Sequence, residues 1–147
     1  MSRATQMERI IAKGQLVPLV FMDNAVAASQ TDVQLSIVET SATSSTSNNT
    51  EYVMPFDGEI VAITAALSAA ATAGALTVGP TVNGTEEADP TLSITTATEA
   101  HDKAARGTAT FVAGDLIGAE ITTDASWDAT TADLVVTVWV LLHLEGI

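Results

Sequence analysis

The sequence predicts an all-β fold, a β-sandwich or jelly-roll-like body with an extended N-terminal arm. Three observations predict it. Apolar residues alternate with period two over most of residues 51–144, turn dipeptides such as Asp57-Gly58 and Asn83-Gly84 separate the alternating runs, and three of the five basic residues, Arg3, Arg9 and Lys13, stand in the first thirteen positions. With Glu8 that segment carries 3 − 1 = +2, so a total of −13 leaves −15 for the remaining 134 residues. A basic tail ahead of so acidic a body reads as an element that reaches away to hold something else.

Within residues 2–13, Met7, Ile10 and Ile11 fall at helical spacing with Gly14 placed to end a short turn. Leu16 to Met22 is densely apolar but holds Pro18, which reads as an edge strand or an extended segment lying on another surface. Val33, Leu35 and Ile37 alternate with more polar neighbours as a strand does. Residues 40–50 are nearly all Ser, Thr and Asn, too polar to bury a core of their own, and read as a linker. These features divide the chain into an arm over 1–50, linker included, and a β domain over 51–147.

Tyr52 to Phe56 leads into Asp57-Gly58, followed by Glu59 to Leu67, in which Val61, Ile63, Ala65 and Leu67 share one face and Ile60, Ala62, Thr64 and Ala66 the other. Leu76, Val78 and Val82 continue the alternation up to Asn83-Gly84, whose composition suits a type I′ turn because both central residues need positive φ. Leu92 and Ile94 make a short strand after the acidic loop 86–90. Residues 108–112 and 115–122 read as a hairpin about Ala113-Gly114. The last strand, Asp133 to Leu144, is apolar on both faces, which places it either at the centre of the sheets or at a subunit contact. Val136, Val138, Trp139, Val140 and Leu142 are its candidate interface residues.

Only 16% of the residues are charged, against a usual value of about 25%, so much of the surface is expected to be covered by another copy or by a partner. The acidic body offers no basic face for nucleic acid. The apolar run 134–144 is too short to span a bilayer, and the segment after Lys13 is interrupted by Gly14, Gln15 and Pro18, unlike a secretory leader. Absence of cysteine removes disulfides and thiol chemistry.

No enzyme is expected, because the titratable groups form no recognisable constellation. His143 lies in a strand pattern, and His101-Asp102 in a polar stretch with Lys103 and Arg106. Nucleophile-elbow, phosphate-loop and dinucleotide motifs are missing, so no cofactor is implied. Calcium ligands could come from Glu86, Glu87 and Asp89 or from Asp124 and Asp128, but neither group has the spacing of an EF-hand loop, and no metal is assigned. Trp127 sits in a predicted loop, where it either anchors a glycan or protein contact or folds back over the end of the β core.

Four stretches, Val-Met-Pro-Phe-Asp-Gly-Glu-Ile (53–60), Ala-Gly-Ala-Leu-Thr-Val-Gly-Pro-Thr-Val-Asn-Gly (73–84), Phe-Val-Ala-Gly-Asp-Leu-Ile-Gly (111–118) and Thr-Ala-Asp-Leu-Val-Val-Thr-Val-Trp-Val (131–140), together resemble a β domain of tailed-bacteriophage structural proteins. With the arm in front, the chain looks most like the trimeric capsid decoration, or cement, proteins. The resemblance implies a homotrimer on the outer surface of the virion that binds the major capsid protein, without membrane or nucleic-acid partners. An arm bearing Arg3, Met7, Arg9, Ile10, Ile11, Lys13, Leu16, Val17, Leu19 and Val20 suits strand addition or groove binding on that partner. A fibre or tail-associated receptor- or glycan-binding domain, reading through loops 85–90 and 123–131, is the alternative.

Overall fold

The computed structural model describes residues 14–38 and 50–144. Among them the chain forms eleven strands and no helix: β1 (Gln15–Asp23), β2 (Val33–Gln34), β3 (Tyr52–Val53), β4 (Gly58–Leu67), β5 (Leu76–Val82), β6 (Thr85–Glu86), β7 (Leu92–Ile94), β8 (Glu99–Lys103), β9 (Ala109–Phe111), β10 (Leu116–Thr123) and β11 (Leu134–Leu142). The first sheet runs β1-β11-β4, with β8 and β9 sharing the far edge of β4. In the second, β2 and β3 share one edge of β10, β5 lies on its other side, and β6 and β7 share the far edge of β5. Counting each shared edge as one interrupted strand gives two four-stranded antiparallel sheets between which the chain crosses at almost every step. That is the winding of a jelly roll.

Burial follows the pleat. Leu134, Val136, Val138, Val140 and Leu142 of β11 face inward beside Leu19 and Phe21 of β1, and Ile117, Ala119 and Ile121 line the inner face of β10. Each fully buried side chain of this size contributes roughly 1.5–3 kcal/mol. One contact between the sheets is aromatic: Phe21 meets Tyr52 edge-to-face, centroids 5.5 Å apart.

Two local features set what the first sheet shows to solvent. In the β4–β11 ladder Trp139 pairs with Ala62 and Val140 with Ile60, so Val61 is an extra residue. This bulge turns Ile60 inward to join Ile63, Ala65 and Leu67, where strict alternation predicts Val61, and it turns Glu59 outward. Along β1, the backbone groups of Met22 point away from β11 and bond to Ser36, so those of Val20 and Pro18, at the same phase, point the same way. The Val20 carbonyl accepts the Tyr52 hydroxyl at 3.3 Å, and Pro18 has no N–H to leave unpaired. The outer edge of the sheet is thus closed to strand addition over much of its length.

Several sequence expectations change here. Residues 15–38 are not part of an arm: β1 contributes nine residues to the first sheet and β2 belongs to the second, so the β body begins at β1 and no domain boundary falls at 50/51. Leu16, Val17, Leu19 and Val20 accordingly lie within the fold, because an edge strand with an apolar inner face is covered by the sandwich it borders. The arm residues Arg3, Met7, Arg9, Ile10, Ile11 and Lys13, and linker residues 40–49, lie outside the described residues. The hairpin expected about Ala113-Gly114 is a crossover, since β9 pairs with β4 and β10 with β5, in opposite sheets. The Asn83-Gly84 turn is as expected, with φ of 51° and 75°.

Candidate functional site

The outward face of the first sheet is its most distinctive surface. Leu16, Pro18, Val20 and Met22 of β1 stand opposite Leu141, Trp139, Thr137 and Val135 of β11, and the next row on β4 is Glu59, Ala62, Thr64 and Ala66. Of these twelve positions only Glu59 is charged, and its side chain is 4% exposed beneath Arg106. Both carboxylate oxygens are held: Arg106 Nε donates to Oε1 at 2.6 Å and the Gly107 N–H to Oε2 at 2.6 Å, while His143 Nε2 lies 3.5 Å from Oε1. Burial pushes the Glu59 carboxyl up, but the bonds from Gly107, Arg106 and His143 together outweigh it and hold it below the ordinary glutamate value.

This arrangement removes most of the candidate interface residues from reach of another copy. Val136, Val138, Val140 and Leu142 are buried in the chain's own core, out of reach of a second subunit, because β11 is central and its even-numbered side chains face the opposing sheet. Trp139 points the other way, onto the outward face. There it borders a depression of about 330 Å³ whose far wall is His101 and Lys103 of β8. No strand was expected at β8, since Glu-Ala-His-Asp-Lys has no apolar alternation; it pairs along β4 as a solvated edge. His101 and Asp102 point to opposite sides of that strand, and Asp102 accepts the Thr91 N–H at 3.1 Å.

A second apolar feature lies at the end of the sandwich where β1 starts. Val53 and Val112 are 66% and 58% exposed, with Phe56 and Leu16 also exposed. Loops 53–57 and 112–115 are tied together by Gly114 N–H to Met54 O, Met54 N–H to Asp115 O and Ala113 N–H to the Asp57 carboxylate. Asp57 and Asp115 are occupied as loop caps, so the end presents its apolar side chains on a braced platform. The chain leads into β1 at this end, so residues 1–13 attach here.

On the outward face of the second sheet Asp32, Glu86 and Glu120 converge, with one oxygen of each within 4.8 Å of the others. Burial raises the Glu120 carboxyl and the nearby Glu86 and Asp32 charges add to the rise; Gln34 Nε2 donates to it at 2.9 Å. The cluster joins three separate stretches of chain, so it was not visible as sequence spacing. Close-set carboxylates are ordinary in a chain of this charge, and no metal role is assigned to them. Three of the other acidic candidates serve as loop ties: Asp124 accepts the Ala75 and Ser126 N–H groups, Asp128 holds Thr72, and Asp89 accepts the Ala105 N–H.

Trp127 is 2% exposed and its Nε1 donates to the Val26 carbonyl at 3.1 Å. It closes the end of the core opposite to Val53 and Val112, and is not available to anchor a glycan.

No family model matches the sequence, and no curated protein matches it. Among solved structures, one from Desmodium yellow mottle tymovirus aligns over 88% of this chain and 81% of its own, at 10% identity and a TM-score of 0.31, too slight a likeness to bear on function.

Proposed function

We propose that this chain is a non-enzymatic structural protein of a tailed-phage virion, which binds the outside of the capsid as a trimer and staples major capsid subunits through residues 1–13. One observation carries the reading: the exposed apolar side chains Leu16, Val53, Phe56 and Val112 gather at the end of the sandwich to which the basic segment with Arg3, Arg9 and Lys13 attaches. A platform and a cationic tether on one side of a −15 body form a one-sided docking surface, and three copies acting together would hold a shell through modest individual contacts. The jelly-roll body is compatible with this role but does not select it, since lectin and enzyme domains use the same winding. The phage-protein resemblance of residues 51–144 supports a virion role, and the basic segment in front of that domain is what favours the capsid over a fibre or tail position. The glycan-binding alternative loses its aromatic anchor with the burial of Trp127.

The test is co-sedimentation with capsids lacking decoration, using the full chain and a chain that begins at Gly14, which keeps β1. Binding by the full chain and its loss in the shortened, still folded one supports the tether. Equal binding by both overturns it, and no binding by either overturns the capsid role.

A further inference from the structure

We propose that residues 1–13 of this chain fold back onto the outward face of its own first sheet, with Met7, Ile10 and Ile11 covering the depression beside Trp139. Such docking belongs to the unbound chain and does not depend on the capsid reading. The face has apolar surface to cover: Leu16 and Val135 are 52% and 43% exposed on it, and Leu16, Ala62 and Trp139 line the depression of about 330 Å³.

The point of attachment favours this occupant. Leu16 lines the depression and stands two residues from Gly14, where the preceding segment joins. Gly14 has φ of +78°, which turns the chain off the line of β1, and a Cβ on it would lie 3.3 Å from Leu141 Cγ, a side chain of the same face. The segment therefore starts at the border of the surface. Leu16 is about 7 Å along β1 from Gly14, and Pro18, opposite Trp139, about 14 Å. Met7 precedes Gly14 by seven residues, about 10 Å at helical rise and about 24 Å when extended, so either conformation brings it to the level of the depression.

Charge and size agree. On the outward positions of β1, β11, β4 and β8 the exposed acid is Glu99, beside Ala66 at the rim. A second copy would bring its own Glu99 and its own acidic body to this surface, whereas residues 1–13 bring +2. Three strands about 30 Å long make a plane of roughly 400 Å², about half of what each partner in a free association needs. A tethered segment meets the face at a millimolar effective concentration and needs far less area. At helical spacing Met7, Ile10 and Ile11 share one side while Arg9 and Lys13 fall on the other, so docking the apolar side leaves those two cations facing outward.

The chain has no cysteine, so Gln6→Cys takes a single nitroxide label beside Met7. In nitrogen-edited NMR spectra of the labelled full chain, the Trp139 indole signal and the Ala62 and Thr64 amide signals are expected to be lost. Thr77 and Thr122, on the outward face of the second sheet, keep theirs. Ile10→Asp combined with Ile11→Asp, outside the β body, restores the lost signals. Mixing labelled chain of natural isotope abundance with unlabelled, isotope-enriched chain leaves the spectrum unchanged. No loss at all, equal loss on both sheets, or losses in the mixture, which would put the segment on another copy, overturns the proposal. Absence of docking with capsid binding intact overturns this inference alone, and absence of capsid binding with docking intact overturns the capsid role alone.

Discussion

Pro18 stands directly opposite Trp139 in the antiparallel register of β1 and β11. The pair shows that the segment after Gly14 is built into the body: the proline lies on the sheet edge, where its missing N–H costs nothing, and its neighbours Leu19 and Phe21 are buried. Removing residues up to Gly14 is therefore expected to leave a cooperative thermal transition, whereas removing residues through Asp23 abolishes it. Phe21→Ala lowers stability by about 3–5 kcal/mol in denaturant titration, the cost of emptying a fully buried aromatic site. A chain that folds without β1 contradicts the assignment.

Glu59 is the one acid among the twelve outward positions of β1, β11 and β4, and its bonds to Gly107 and Arg106 make it stabilising when ionised. Its folded value lies below the ordinary 4.5, so that contribution is present above pH 4.5 and is lost as pH falls below it. Glu59→Gln is expected to cost about 1–3 kcal/mol at pH 7 and to flatten the acid limb of the stability profile. Arg106→Ala costs less, about 1 kcal/mol or below, because its guanidinium is largely in water. Equal acid limbs in wild type and Glu59→Gln contradict this.

Asp23 behaves in the opposite sense. Burial raises its carboxyl to about 6, a hydrogen bond from the Asn24 backbone opposes the rise, and the Asp133 charge adds to it. Below pH 3.8 the group is protonated in both states; between 3.8 and about 6 the unfolded chain loses the proton first, so stability falls as pH rises, and above 6 the loss is complete. Asp23→Asn is expected to stabilise the fold by about 1–2 kcal/mol at pH 7.5 and to remove most of the slope between pH 4 and 6. Melting temperatures measured across that range decide it, and a variant less stable than wild type at pH 7.5 contradicts it.

Gly74 and Trp127 form a single closure at the far end of the core. Gly74 has φ of +82°, and a Cβ there would run into the Trp127 backbone. Gly74→Ala is expected to cost at least about 1 kcal/mol through strain and collision, and Trp127→Ala about 3–5 kcal/mol through the cavity it leaves. Trp127 emission should be blue-shifted and insensitive to added oligosaccharide; a response to sugar would reopen the binding role of loop 123–131.

Much of this fold is legible in the sequence. The alternation of Leu76 to Val82, Leu116 to Thr123 and Leu134 to Leu142 marks three central strands, and Asn83-Gly84 marks their tightest turn. The bulge at Val61 is not legible, because Ile60 and Val61 are both β-branched and apolar, and which of them turns inward is set by the register with β11. Pro18 correctly signalled an edge, but an edge strand and an extended arm share one sequence pattern; only the inward burial of Leu19 and Phe21 separates them. The two apolar faces of β11 were visible as well. Which face meets the core follows from the sandwich, and it puts Val136, Val138, Val140 and Leu142 in the chain's own core and leaves Trp139 on the outward face.

The capsid reading is tested most directly by image reconstruction of decoration-free shells before and after incubation with the full chain. The account predicts added knobs of density on the outer surface, with the Val53, Phe56 and Val112 end of each sandwich against the shell. No added density, or sandwiches seated on the Trp127 end, contradicts it.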